Sequence, residues 1–193
     1  MSGMTTSAPH RRYTIAEFVE LEAYANVRHE FLDGQIYAMA GGTPEHGTYA
    51  ANVIALISAQ LGDKPCRVQT SDVRIRVQAT GLDTYPDASV VCGKAERDSD
   101  DENAIVNPIV LVEILSESTA AYDLGDKLVH YKQIPALREV LFVDPSDQSV
   151  SVMRRDTEGS WTTHRAARTE SIELQSIECR LAVDAVFRDP LAD

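Results

Sequence analysis

Ile109 to Leu115 is apolar at every position except Glu113, which predicts a strand covered on both faces of a central sheet. A polar turn follows, and Leu124, Leu128 and Tyr131 then recur at helical spacing. Lys127 lies about 60° round that helix from Leu124, at 100° per residue. The helix is thus able to aim a lysine back over the strand that carries the buried glutamate. Upstream, Pro86-Asp87 in TYPDASVVC predicts a strand start, because proline forces extended geometry on its predecessor and gives no amide to a ladder.

The rest of the chain divides by the same patterns. Residues 14–24 predict a short helix, with Thr14 and Glu17 at capping-box spacing. RHEFLDGQIYAMA (28–40) predicts a hairpin about Asp33-Gly34. Strand alternation groups Glu30 with Leu32, so Glu30 is either an exposed edge charge or a functional one. Thr43 as cap and Pro44 at the first position open a helix that runs to about Leu61, with His46 in its first turn. CRVQT and DVRIRVQ (66–78) predict two strands. The turn at Gly81-Leu82-Asp83 predicts that the second pairs antiparallel with the strand of Asp87. KAERDSDDEN (94–103) reads as a solvated acidic loop without chemistry. After Pro135, REVLFVD predicts another buried strand, and SVSVMR and SWTTHRA a C-terminal meander. Residues 174–187 are either two short strands or a strand and a turn.

Composition narrows the class. With 193 residues, 44% hydrophobic and 25% charged, the chain has the make-up of one ordinary globular domain with a substantial core. Residues 13–188 are expected to form it, between a disordered leader (1–12) and a short tail (189–193). No apolar run suits a membrane helix or a signal-peptide core, and the expected location is cytoplasmic. Cys66, Cys92 and Cys179, odd in number and far apart, argue against a disulfide framework and a zinc cluster, and predict reduced thiols. Eighteen Lys+Arg against 30 Asp+Glu give a net charge of −12. That balance is awkward for gripping nucleic acid by non-specific charge, but leaves room for a compact cationic site or one charged by a metal.

Asp87 and Glu113, converging from neighbouring strands with Lys127 close by, make a site for a divalent cation and an activated water. From spacing alone, Glu113 and Lys127 are equally well read as a buried ion pair. Paired carboxylates also serve glycosidases, but the nearby lysine and the scarcity of aromatic residues for a sugar platform disfavour that chemistry. A Pro-Asp followed 26 positions later by a glutamate in an apolar strand resembles the PD-(D/E)xK, restriction-endonuclease-like superfamily. Glu30 with Asp33-Gly34, Pro44 and His46, SDVRIRV, YPDASVV, VEILSEST, Asp123-Lys127-Tyr131 and EVLFVDP together resemble its large bacterial family of putative restriction endonucleases, across about residues 13–188.

The resemblance implies an α/β (α+β) fold, a mixed central sheet flanked by helices. It further implies a metal-dependent endonuclease acting on nucleic acid, DNA before RNA, and acting on two strands would favour a homodimer. Asp87, Glu113 and the backbone carbonyl of Ile114 are the implied ligands of Mg2+, with Mn2+ as an alternative. Leu115 stands where the superfamily has its lysine, and that role passes to Lys127, with Lys132 as the rival on the same helix. Glu30 resembles an acidic residue brought to the metal from the N-terminal region. His46 matches the family pattern without an assigned role. The alternative from another class is a catalytically silent binding module on the same fold.

Overall fold

The computed structural model describes residues 11–189 and 191, so most of the expected leader and part of the tail lie outside the described residues. The first helix, α1 (Ile15–Glu22), starts where the capping box says: the Glu17 amide donates to the Thr14 hydroxyl at 3.2 Å, and the Thr14 amide to the Glu17 carboxylate at 2.8 Å. Strands β1 (His29–Leu32) and β2 (Gln35–Ala38) form the hairpin. Its turn residues, Asp33 and Gly34, take φ of 48° and 79°, the left-handed pair that a tight two-residue connection needs. Helix α2 (Pro44–Leu61) is capped by Thr43, and Pro44 occupies its first turn, where no amide is missed.

The strands that follow are β3 (Cys66–Thr70), β4 (Arg74–Val77), β5 (Leu82–Thr84), β6 (Ala88–Cys92), β7 (Ala104–Ile105) and β8 (Val110–Ile114). A helical stretch then changes pitch twice: α3 (Ala120–Tyr122), a π turn (Asp123–Lys127) and α4 (Leu128–Tyr131). The chain ends with β9 (Glu139–Asp144), β10 (Ser149–Arg155), β11 (Trp161–Ala166), β12 (Ser171–Leu174), β13 (Cys179–Ala182) and α5 (Val183–Val186). A six-stranded sheet runs β11-β10-β9-β8-β6-β3, and a five-stranded one β2-β1-β5-β4-β7; β12 and β13 pair separately. Both larger sheets are mixed, since β8–β9 and β4–β7 are parallel. Residues 174–187 hold β13 and α5 after a 3-10 turn.

Strand β8 is covered on both faces, as its composition requires. Val110, Val112 and Ile114 enter a core shared with α2, while Leu111 and Leu115 enter a second core with Leu128 and Tyr131. Glu113 alternates with that second set and so points toward the helix that follows it. No helix among the described residues is long and apolar enough to cross a membrane.

Four expectations are corrected. The strand of Asp87 does not pair with β4: Pro86 interrupts the chain, β5 pairs with β4 in one sheet, and β6 crosses to the other, between β3 and β8. Leu124 is 48% exposed, because the π turn is wider than an α turn and delays the rotation of the buried face. Cys66 and Cys92 are joined by a disulfide, as partners directly across the β3–β6 ladder; only Cys179 is free and buried. The acidic loop is not wholly solvated, since Asp98 and Asp101 are buried, and Asp101 takes Arg74 in a bidentate pair at 2.6 and 2.7 Å.

Candidate active site

Ala88 faces Val112 in the β6–β8 ladder, so one step outward Asp87 faces Glu113. The strand that Asp87 enters therefore neighbours the strand that carries Glu113. Asp87 is fixed at both oxygens. Its Oδ2 accepts the Ile114 amide at 2.7 Å, and its Oδ1 lies 2.8 Å from His46 Nε2. Ile114 thus reaches the site through its N–H. His46 comes from the first turn of α2, where the Thr43 cap accepts its amide at 3.3 Å. Gly42 leaves room for the ring, since a Cβ there would lie 2.9 Å from His46 Cδ2. The hydrogen bond to Asp87 raises the pKa of His46, against its partial burial, and so favours imidazolium facing the carboxylate.

Glu113 is 4% exposed; its Oε1 accepts the Tyr131 hydroxyl at 2.5 Å and lies 3.0 Å from the Lys127 ammonium as an ion pair. Burial pushes its carboxyl up to about 8 despite the opposing ammonium, and Asp87 and Asp123 add to the rise. Burial also works against the charge of Lys127, yet the anionic groups around it, Glu113 foremost, hold its pKa well above the ordinary value. Lys127 Nζ further meets Glu30 at 3.2 Å and Asp123 at 3.3 Å. The π turn makes this possible by keeping Asp123, Lys127 and Tyr131 on one buried face. Lys132 instead sits 5.8 Å from the Trp161 ring.

Asp87, Glu113, Ile114, Lys127, Glu30 and His46 all line one cleft of about 2060 Å³, together with Tyr122, Asp123 and His130. Glu30 and His46 both belong to it, one against Lys127 and the other against Asp87. Sequence reasoning missed Thr84, whose hydroxyl donates to Glu30, and placed Tyr131 on the apolar stripe and in the family pattern without giving its hydroxyl a role. Four-residue spacing from Asp123 through Lys127 was the available signal for Tyr131; Thr84 had none.

The donor set suits a hard divalent cation. Among the described residues no three acidic, histidine or cysteine side chains already form a metal cage. Mg2+ does not require one, since it commonly keeps several waters and binds through one or two carboxylates. The burial-raised Glu113, crowded by Asp87 and Asp123, marks a place where an added cation would relieve repulsion.

Comparison with known proteins agrees with this picture. The model of the Uma2 family, described as "Putative restriction endonuclease", matches residues 15–184. An uncharacterized protein of Synechocystis sp. (strain ATCC 27184 / PCC 6803 / Kazusa) is 32% identical over 188 residues, covering 97% of this chain and 98% of that protein. A second uncharacterized protein from the same organism is 30% identical over 141 residues, 73% of this chain and 80% of that one. A crystal structure described as "a putative nuclease belonging to DUF820" from Anabaena variabilis ATCC 29413 superposes with a TM-score of 0.74 at 19% identity, covering 90% of this chain and 97% of that chain. At that identity the likeness speaks for the fold alone.

Proposed function

The chain belongs to the Uma2 family of putative restriction endonucleases, and on that premise we propose that it is a metal-dependent nuclease hydrolysing phosphodiester bonds, with DNA as substrate. The observation that carries this reading is Asp87, at the entry to β6, held by the Ile114 amide of the adjacent β8 next to Glu113, with Lys127 3.0 Å from Glu113, in the wall of an open cleft. Magnesium held by Asp87 and Glu113 would supply a water of lowered pKa and a Lewis acid for the phosphoryl oxygens.

The chain's own groups do the rest. His46 and the Ile114 amide fix the Asp87 carboxylate in one orientation, so little reorganisation is left for the reaction. Tyr131 and Lys127 do the same for Glu113. Lys127, kept charged by its carboxylate neighbours, offers a preorganised cation for negative charge developing on the phosphate. Leu115 is buried and aliphatic, and takes no part.

The test is cleavage of supercoiled, linear and single-stranded DNA and of RNA by the purified chain, with Mg2+ or Mn2+ and with chelator. Metal-dependent cleavage of DNA is expected. Asp87→Ala and Lys127→Ala should each lower the rate at least about 100-fold, roughly 2.7 kcal/mol of barrier. Lys132→Ala should cleave as wild type does. Cleavage that survives Asp87→Ala unchanged would overturn the assignment. Metal binding without cleavage of any substrate would point instead to a silent binding module.

A further inference from the structure

The cage around Lys127 contains more carboxylate than one ion pair needs. An ammonium has three N–H donors. Glu113, Glu30 and Asp123 lie 3.0, 3.2 and 3.3 Å from Nζ, so three carboxylates surround the one ammonium. The carboxylates differ in origin. Glu113 stands on β8 opposite Asp87, Asp123 lies one π turn before the lysine, and Glu30 is delivered from β1 in the other large sheet. Glu30 is itself heavily occupied, accepting from the Thr84 hydroxyl and meeting Lys127, with the Tyr122 hydroxyl bearing on it as well.

A cation taken up by Asp87 and Glu113 competes with Lys127 for Glu113 and repels its ammonium. A lysine held by Glu113 alone would be driven off as the metal arrived. We propose that Glu30 and Asp123 are positioning residues that hold Lys127 in place when Glu113 turns to the cation. Glu30 is then no metal ligand, and the N-terminal hairpin belongs to the catalytic apparatus because it carries this anchor. Release of the Glu113 contact frees that side of the ammonium in a residue that lines the cleft. The proposal rests on the nuclease reading above.

Glu30→Gln and Asp123→Asn keep volume and remove the charge. Each is compared with wild type in Mg2+ affinity by calorimetry with the metal alone, in single-turnover cleavage rate and KM, and in the rate of reductive methylation of Lys127 followed by peptide mass. The expected pattern is a metal affinity within about twofold of wild type, a rate down tenfold or more at unchanged KM, and faster labelling of Lys127. Tyr122→Phe, which removes only a hydroxyl from Glu30, should show the same pattern more weakly, and it serves if Glu30→Gln does not fold. A tenfold loss of metal affinity in Glu30→Gln would make Glu30 a ligand and overturn the proposal, as would an unchanged rate. If wild type cleaves nothing, the nuclease reading fails separately. Labelling of Lys127 still decides the cage: unchanged labelling in both variants overturns it.

Discussion

Asp83 shows how far a single side chain departs from what its neighbours in sequence suggest. It is fully buried on β5, and neither carboxylate oxygen has a hydrogen-bond partner. Arg74 and Arg76 stand 3.6 and 3.7 Å away. Burial, with Asp101 adding to it and the two arginines opposing, lifts the carboxyl to about 7. The folded state therefore holds a proton that the unfolded chain releases near pH 4. The resulting stability is full below about pH 4 and is lost as pH rises toward 7, on the order of a few kcal/mol. Asp83→Asn should flatten the fall in melting temperature between pH 4 and 8; an unchanged slope would show that Asp83 does not titrate there. Asp87 and Glu113 were legible because one carries a proline before it and the other breaks an apolar run. Asp83 and Asp101 were not, because nothing local separates a turn or loop acid in water from one folded against Arg74.

At the scale of elements, the caps were legible and the exceptions were not. Thr14, Glu17, Thr43, Pro44 and Asp33-Gly34 act within a few residues of themselves, and the helices and hairpin they predict are present. The π turn breaks the regular pitch, so a 100° count placed Leu124 inward when it is exposed. The cysteines failed for a related reason. Spacing of 26 residues says nothing of pairing until β3 and β6 are known to be neighbours. Closing a loop of that length removes entropy from the unfolded chain worth about 3 kcal/mol. Cys66→Ser with Cys92→Ser should lower unfolding free energy by roughly that amount, measured by denaturant titration of the oxidised protein. No difference from oxidised wild type would mean that the bridge adds nothing to stability. Such bridges are rare in a reducing cytosol, so alkylation before reduction, on protein taken directly from its host, tests the expected cytoplasmic location.

For the whole molecule, the division into two sheets follows from Pro86, where the chain leaves β5 and enters β6, and residues of both sheets line the candidate cleft. A single central sheet was the natural reading of the pattern, since periodicity marks strands without saying which sheet each joins. The same geometry gives the net charge of −12 a local consequence. Arg28 and Lys127 are the only lysine or arginine among the described residues lining the cleft, and Lys127 is spent on carboxylates. A polyanion entering there meets repulsion unless cations come with it, so divalent ions should bind the folded protein ahead of substrate. Mg2+ or Mn2+ at about 100 times the dissociation constant would add about 2.7 kcal/mol of stability. For a chain of this size that raises the melting temperature by roughly 5–10 °C. Potassium chloride at matched ionic strength controls for screening of the general acidic charge. Glu113→Gln keeps shape, leaves Lys127 its other two carboxylates, and should abolish the divalent-specific rise. An equal rise in that variant would place the stabilising cation away from Asp87 and Glu113, and would remove the metal from the proposed reaction.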